Sequence, residues 1–476
     1  MRVRIAVVVV MNLLLLGQTT GGRAEGPPRE QRPLDLRECI ERALVGAPEL
    51  GEAQADIELT SAKLDEAGAH RLPQIEFLGL SGPVPQAKGN QVSSPDSINQ
   101  TNRWTWFARG DATLIQPLYT FGKISENMKA AGHGIEVDRA RKEQRRNEVV
   151  LKVKEYYYEV LLARELKELV LEVQGDLTRA RTTAQKLLDK GSDNVEPTDV
   201  FKLDSFLGEV GKYLEEAKKG ELLALTALRS RLGLAADSPF DIATERLVPE
   251  EAPGGELSGY LESARQRRPE YRQISEGLKA REALVEAARA SYYPDLFIAG
   301  FLSAAYAEKR DRVSNPWVPD EFNHIWGGVA LGLKWQIDFG ITRAKVAEER
   351  AQYNRLLSTR DYAESNIPLQ VRKYYLDLQE AEQSITTTKN GYTNAKKWAV
   401  AALANYDFGV GPAREIFEAL QQYAKMRSAY FQAVYNEKMA LANLAYATGG
   451  EQPAGTRTDA SPKAEIEPAL QKIARK

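Results

Sequence analysis

The sequence predicts a mainly α-helical chain with a membrane β-strand portion, built twice over. Two stretches, Phe121 to Gly191 and Phe339 to Gly409, each carry 69 residues from a Phe-Gly pair to the next shared glycine. In the first, Val149, Val153, Tyr156, Val160, Ala163, Leu166, Val170, Val173, Leu177, Ala180, Ala184 and Leu187 step by three or four, the narrow apolar seam of a long coiled-coil helix, with one stammer at Ala163. At 1.5 Å per residue such a helix is about 100 Å long, which no globular domain needs. The second observation is the repeat itself. The third is a set of short segments whose apolar positions alternate with period two.

The chain opens like an exported protein. Arg2 and Arg4 precede an apolar run from Ile5 to Leu16, and Gly22-Arg23-Ala24 forms a small-x-small cleavage site, so residues 1–24 read as a signal peptide. Twelve residues are too few to span a bilayer as a helix, and no later apolar run is long enough, so any membrane insertion must use strands. Cleavage leaves 61 basic and 66 acidic residues, net −5. The full chain carries −2, with 27% charged residues and no basic patch, which argues against nucleic-acid binding. Cys39, the only cysteine, falls on an amphipathic helix and reads as a buried, inert thiol.

After a Pro- and charge-rich lead-in, a helix is expected from about Leu36 to His70, stopped by Leu72-Pro73. A short strand follows from Ile75, with Ile75, Phe77 and Gly79 on one face. Residues 82–103 read as a polar loop, and a second strand spans about Trp104 to Tyr119. Beyond the long helix, a turn at Ser192 to Pro197 leads to a return helix ending near Leu232-Gly233. Residues 235–256 are a Pro/Gly-rich connector. The order then recurs from Leu257: helix, break at Tyr293-Pro294, strand from Leu296, polar loop around 307–325, strand from Trp326, long helix from Ile341, glycine turn, and return helix to Thr448-Gly449. Residues 450–476 read as a polar, disordered tail.

The duplication can be checked by numbering. Pro48-Glu49 matches Pro269-Glu270 and Pro73 matches Pro294, offset by 221. Phe121-Gly122 matches Phe339-Gly340 and Gly191 matches Gly409, offset by 218; Gly233 matches Gly449, offset by 216. The slips fall where loops make insertions cheap. The expected units are therefore 25–234 and 257–449, joined by 235–256.

The fourth strand carries the membrane signal most clearly. Val329, Leu331, Leu333, Trp335 and Ile337 share one face, and Ala330, Gly332, Lys334, Gln336 and Asp338 the other. Tyr292, Tyr293, Trp317 and Trp326 sit near strand ends, where interfacial aromatics belong. Four strands cannot close a barrel and open edges are not tolerated in hydrocarbon, so the chain must oligomerise; two or three copies both satisfy this.

The landmarks together resemble the TolC-type outer membrane factors, the outer membrane efflux protein family. Carrying the likeness are Cys39-Ile40-x-x-Ala43-Leu44, Pro48-Glu49-Leu50, Gln116-Pro117-Leu118-Tyr119-x-Phe121-Gly122, Tyr156-Tyr157 and Leu232-Gly233. In the second unit they are Pro269-Glu270, Ala288-Arg289-x-x-x-x-Pro294, Tyr374-Tyr375-Leu376, Tyr406-x-x-Gly409 and Phe417-Glu418-Ala419-Leu420. The resemblance covers about residues 35–450. It implies a homotrimer in the bacterial outer membrane: a 12-stranded barrel, seated in lipid, continuous with a periplasmic helical tunnel. It also implies a passive duct for an efflux or type I secretion system, fed by an inner-membrane pump through a periplasmic adaptor, with neither cofactor nor enzyme activity. The competing reading is a periplasmic structural or adaptor coiled coil without a pore, which would carry no membrane strands.

Function is expected in the two helical turns. Glu415 and Glu418, three apart on one helix face, either begin a solvated helix or, as the resemblance implies, line the pore constriction. The turn tips Gly191, Gly409, Gly411 and Pro412 are the implied adaptor contacts. Tyr406 with Asp199 and Thr198 resembles the family's gate latch, although Tyr406 could merely pack and Asp199 merely cap. Gly411 replaces the family's second, basic latch residue, leaving Arg414 as a candidate substitute. Pro368 should bend the second long helix. His70, His133 and His324 are scattered, pair with no cysteine or carboxylate at ligand spacing, and read as surface residues.

Overall fold

The computed structural model describes residues 33–88, 98–191, 195–235, 238–250, 254–313, 317–408 and 410–450. The expected signal peptide, Gly409 and the polar tail beyond Gly450 lie outside the described residues. The elements run α1 (Leu36–Gly46), α2 (Pro48–Ala69), β1 (Gln74–Lys88), β2 (Ile98–Tyr119), α3 (Lys123–Asp189) and α4 (Pro197–Arg231). They recur as α5 (Leu257–Arg267), α6 (Pro269–Ala290), β3 (Asp295–Ala307), β4 (His324–Lys334), α7 (Ile341–Asp407) and α8 (Ala413–Ala447). Each matched pair of helices has one length: 11, 22, 67 and 35 residues. The duplication is therefore structural. α3 and α7 are each about 100 Å long by their rise.

The expected helix from Leu36 to His70 is two helices. Pro48 lacks an N–H and pushes the residue before it out of helical backbone, so Ala47 is extended at φ −69°, ψ 116° and α2 restarts at the proline. Arg268 and Pro269 repeat this at the start of α6, with Arg268 at φ −69°, ψ 123°.

The four strands form one antiparallel sheet in the order β1-β2-β3-β4. The strands run further than expected into the polar loop 82–103. β1 reaches Lys88 and β2 begins at Ile98, because pairing overrides the local turn composition. Pro83 and Pro85 lie on β1, which is an edge of the sheet within one chain. On the other side the expectation overshoots: β4 ends at Lys334, so Trp335 and Ile337 lie past the strand, where the Trp335 indole donates to the Tyr292 carbonyl at 3.1 Å. Val329, Leu331 and Leu333 stand exposed on the face shared with Ile75, Phe77, Trp104 and Trp106. The opposite face holds Phe297 and Phe301, whose rings lie against Gly332 and Gly328. The β2–β3 register slips between Pro117 and Tyr119. That bulge accounts for one of the three residues by which the repeat offset drops, from 221 to 218, across the strands.

Each strand enters its long helix through the same corner. Phe121 and Phe339 hold left-handed backbone at φ 51° and 46°, followed by Gly122 and Gly340 at φ 99° and 153°. Left-handed geometry is strained for a bulky residue, and its recurrence explains the Phe-Gly landmark. Phe121 stacks on Tyr293 with ring centroids 5.1 Å apart, whereas Phe339 is 99% exposed.

On α3 the buried line departs from the expected stammer. It steps by four through Val149, Val153, Tyr157, Leu161, Glu165, Leu169, Val173 and Leu177, then reaches Ala180 and Ala184; Ala163, Leu166 and Val170 are only half-buried. Four-residue steps carry the stripe around the helix, and α3 in turn meets α1, α2, α4, α6 and α8 along its length. Pro368 lies inside α7, which continues on both sides of it. Among the described residues, no helix is long and apolar enough to cross a membrane.

Candidate functional site

The tips are built on a core of small and aliphatic side chains. Leu177, Ala180, Ala184, Val200 and Leu203 of the first hairpin meet Ala395, Ala399, Ala402, Ile416 and Leu420 of the second. Alanines at this density let the four helices approach closely. Against them Phe206 of α4 stacks on Phe417 of α8 at 3.4 Å, nearly parallel.

The two-residue excess of the first unit sits in its turn. Residues 190–196 separate α3 from α4, while 408–412 separate α7 from α8. Gly191 holds φ 71°, and α4 begins with a capping box in which Glu196 and Asp199 satisfy each other's backbone N–H groups. Thr198 donates to the Glu196 carboxylate at 2.9 Å, and Lys202 donates to Asp199 at 3.2 Å. At the second tip the amides of Val410 and Gly411 both donate to the Asn405 carbonyl, at 2.9 and 3.3 Å. A side chain at Gly411 would press on Asn405 at 3.2 Å. Pro412 is the N-cap, with φ −80° and ψ 147°, one position before the first helical residue. Phe408 and Val410 project exposed from this tip.

Glu415 and Glu418 both lie at the start of α8, Glu415 half-buried and Glu418 exposed. Arg414 donates to Glu418 at 2.7 Å, so this arginine is engaged on its own helix. Tyr406 is 1% exposed, and its hydroxyl has no hydrogen-bond partner among the described residues. Burial pushes that hydroxyl up to about 12, with the charge of Asp199 adding to the rise. The structure thus brings Tyr406 under the influence of Asp199 without bonding the two inside one protomer.

The bonds that do cross between the hairpins were not legible in sequence. Glu172 of α3 accepts from Arg427 and, at 3.1 Å, from Tyr423, both on α8; Lys396 of α7 lies 3.6 Å from the same carboxylate. Arg427 also donates to the Tyr423 hydroxyl at 2.6 Å. Burial pushes the Tyr423 hydroxyl up to about 12. Closer to the tip, Thr183 donates to Asp407 at 3.2 Å. These partners are more than 200 residues apart, and no local spacing marks them.

The histidines have partners too. His133 pairs with Glu276 at 2.7 Å across α3 and α6, and His70 lies 3.4 Å from the Gln74 amide. His324 and Asp111 both meet the Ser303 hydroxyl, at 2.7 and 2.5 Å. The carboxylate binds the serine and not the imidazole, which differs from the geometry in which an acid orients a catalytic base. Among the described residues no cluster of three or more His, Cys, Asp or Glu could hold a metal ion.

Comparison with known proteins adds to this geometry. Residues 39–200 and 260–450 match the pattern of the outer membrane efflux proteins. Protein CyaE of Bordetella pertussis is 26% identical over 407 residues, covering 84% of this chain and 81% of that protein. Among solved structures, the outer-membrane channel OprN superposes with a TM-score of 0.73 at 16% identity, covering 90% of this chain and 95% of that one. The Campylobacter jejuni CmeC outer membrane channel gives 0.72 at 16% identity, covering 92% and 89%.

Proposed function

The chain belongs to the outer membrane efflux protein family and is an outer-membrane channel; from that premise we propose that three copies close one duct, gated at the α7–α8 tip. The observation that carries this is the unpaired pair of sheet edges. β2 of the first unit pairs with β3 of the second, and the internal repeat requires the same seam between β4 and β1 of the next copy. Open edges cannot face hydrocarbon, and three four-stranded sheets make a closed barrel of even strand number. Allowing for the bulge after Pro117, the repeat sets Leu333 beside Gly79 of the neighbour, both on the lipid face. Cysteines at Leu333 and Gly79 should then cross-link copies into trimers. A sedimentation mass of one protomer in mild detergent would sink the proposal. Cross-linking only from Leu333 to Leu80 would shift the register by one.

The tunnel then carries cargo passively between a periplasmic adaptor, seated on tip positions such as Gly191, Gly411, Pro412 and Gly409, and an inner-membrane pump. Efflux and type I secretion are both served by such a duct. Six carboxylates from Glu415 and Glu418 would ring its mouth and attract cations. Single-channel currents in planar bilayers should be cation-selective, and divalent cations added on the tip side should block them. Glu415→Gln with Glu418→Gln should abolish both effects; persistence of block in that variant would place the ring elsewhere. We propose further that closure of the mouth completes the latch, with Tyr406 donating to Asp199 while Thr198 and Arg414 adjust beside them. Tyr406→Phe and Asp199→Ala should then each raise conductance, and their combination should add little. A Tyr406→Phe channel that leaks no more than the wild type would mean the hydroxyl stays unbonded in the resting trimer.

A further inference from the structure

The first unit carries a charged pocket far from both helical tips. It measures about 860 Å³ and lies where α2, α3 and α6 meet the foot of the sheet. Thr60, Lys63, Ala67 and His70 line it from one stripe of α2, three or four residues apart. Ile115 and Phe297 come from the strand face opposite Val329, Leu331 and Leu333, and Leu284 of α6 with Ala130 and Ala131 of α3 extends this apolar wall.

Three lysines reach the pocket from three elements. Lys123 of α3 is already paired: its ammonium donates to both oxygens of Asp295 at 2.8 Å, and the pair is half-buried. Lys63 of α2 and Lys334 of β4 have neither an ion-pair nor a hydrogen-bond partner among the described residues. Lys334 stands directly across the strand pair from Asp295, whose charge Lys123 balances. Glu66 is the other acid of the wall, so with His70 neutral the pocket keeps an excess of positive charge. The repeat shows that this is no general property of the corner. On the second unit's helices the positions of Lys63, His70 and Lys123 hold Leu284, Ser291 and Ile341, and those of Ala130 and Ala131 hold Glu348 and Glu349.

We propose that this pocket binds an amphipathic anion in transit, a small molecule with a carboxylate or sulfonate head and an aromatic or acyl body. Lys63 and Lys334 hold the head, while Ile115, Leu284 and Phe297 take the body. A cleft of this volume accepts a drug-sized molecule. An ammonium without a carboxylate partner breaks no ion pair of its own when it meets the ligand, so the charge-assisted bond is a net addition. The site rests on the reading of the chain as a duct, in which this strand face turns to the lumen and cargo passes it. Three copies would then carry three such sites where sheet and tunnel join.

Fluorescence titration of anilinonaphthalene sulfonate onto the full chain in phosphatidylcholine nanodiscs tests this, on samples whose oligomer mass is measured first. After subtraction of empty discs, one site per chain is expected. Lys63→Gln with Lys334→Gln should weaken binding about fivefold, the loss of charge-assisted contacts. The uncharged analogue phenylnaphthylamine should bind that variant and the wild type alike, whereas Leu284→Asn should weaken both probes. Unchanged sulfonate affinity in the lysine variant overturns the site. So does an equal loss of both probes there, because the lysines would then shape the pocket without recognising charge. A one-protomer mass with lysine-dependent binding intact would keep the anion site and overturn the duct.

Discussion

The joint between the two helical hairpins of one protomer differs in chemistry from the joint that the repeat would form between neighbouring copies. Within one protomer, α3 meets α8 through Glu172, Arg427 and Tyr423, with Phe206 stacked on Phe417. In the proposed trimer the repeat would place the counterpart joint between α7 of one copy and α4 of the next. There the matching positions are Asn390, Gly211 and Leu207, with Gln422 opposite Phe201. The ionic clasp and the aromatic stack are absent from that set. In the trimer proposed above, a ring of six hairpins would have three locked joints and three able to slide, so opening should occur between protomers.

The largest expected effect comes from breaking the locked joint. Arg427→Met takes the main partner from half-buried Glu172 and from the Tyr423 hydroxyl, leaving only Lys396 beside the carboxylate, and should cost about 2–3 kcal/mol per protomer in denaturant unfolding, the range of a charge-assisted hydrogen bond. Transplanting the clasp, with Asn390→Glu and Gly211→Arg, should do the reverse for gating and lower single-channel conductance. Unchanged conductance in the transplant would mean the joint between copies is not the one that moves.

Next in size is the stack. Phe417→Ala should cost about 2 kcal/mol, because it removes a half-buried ring and its parallel partner contact. Phe201→Ala, at the counterpart position, should leave single-chain unfolding within about 0.5 kcal/mol and act only on assembly.

A smaller contrast separates the two strand-to-helix corners. Phe121→Ala removes the stack on Tyr293 and should cost about 1–2 kcal/mol. Phe339→Ala touches nothing inside the chain, so its effect should show only as a weaker trimer band in detergent gels. Equal effects on both readouts would break the parallel between the corners.

The smallest effects are in pH dependence, and they carry opposite signs. Glu49 is held below the ordinary carboxylate range by its own backbone N–H and by Arg231. Its contribution is therefore present above about pH 4.5 and lost as pH falls through the lower folded value. Glu165 is pushed up by burial. Its contribution is greatest below that same range and is lost as pH rises through the raised folded value. Glu49→Gln should thus flatten the acid side of a stability profile. Glu165→Gln should raise the neutral-pH melting temperature by about 2 °C, as a neutral amide still accepts from the Leu247 amide.

Much of the fold was legible because its signals are local or periodic. Long proline-poor stripes, alternation in β4 and landmark residues at constant offsets need no knowledge of partners. The break at Pro48 was legible in principle, since a proline restricts its predecessor, but a continuous apolar pattern masked it. The strand extensions past Gly82 and before Trp104 were not, because pairing decided them against the turn-forming composition. At the tips, the acids and glycines stand out by type and position, whereas Glu172 with Arg427, and His133 with Glu276, are ordinary charges on solvated-looking helix faces.

By itself the sequence determined the duplication, the strand–helix order of each unit, the lengths of the long helices and the apolar face of β4. Each follows from chain periodicity, which is a property of neighbours along the backbone. Tertiary structure alone decided the winding of the α3 stripe, which unit's core the connector covers, and which hairpin joint is clasped. Those depend on segments packed side by side from positions 82 to 255 residues apart, where a carboxylate's partner is chosen by distance in space and burial from water.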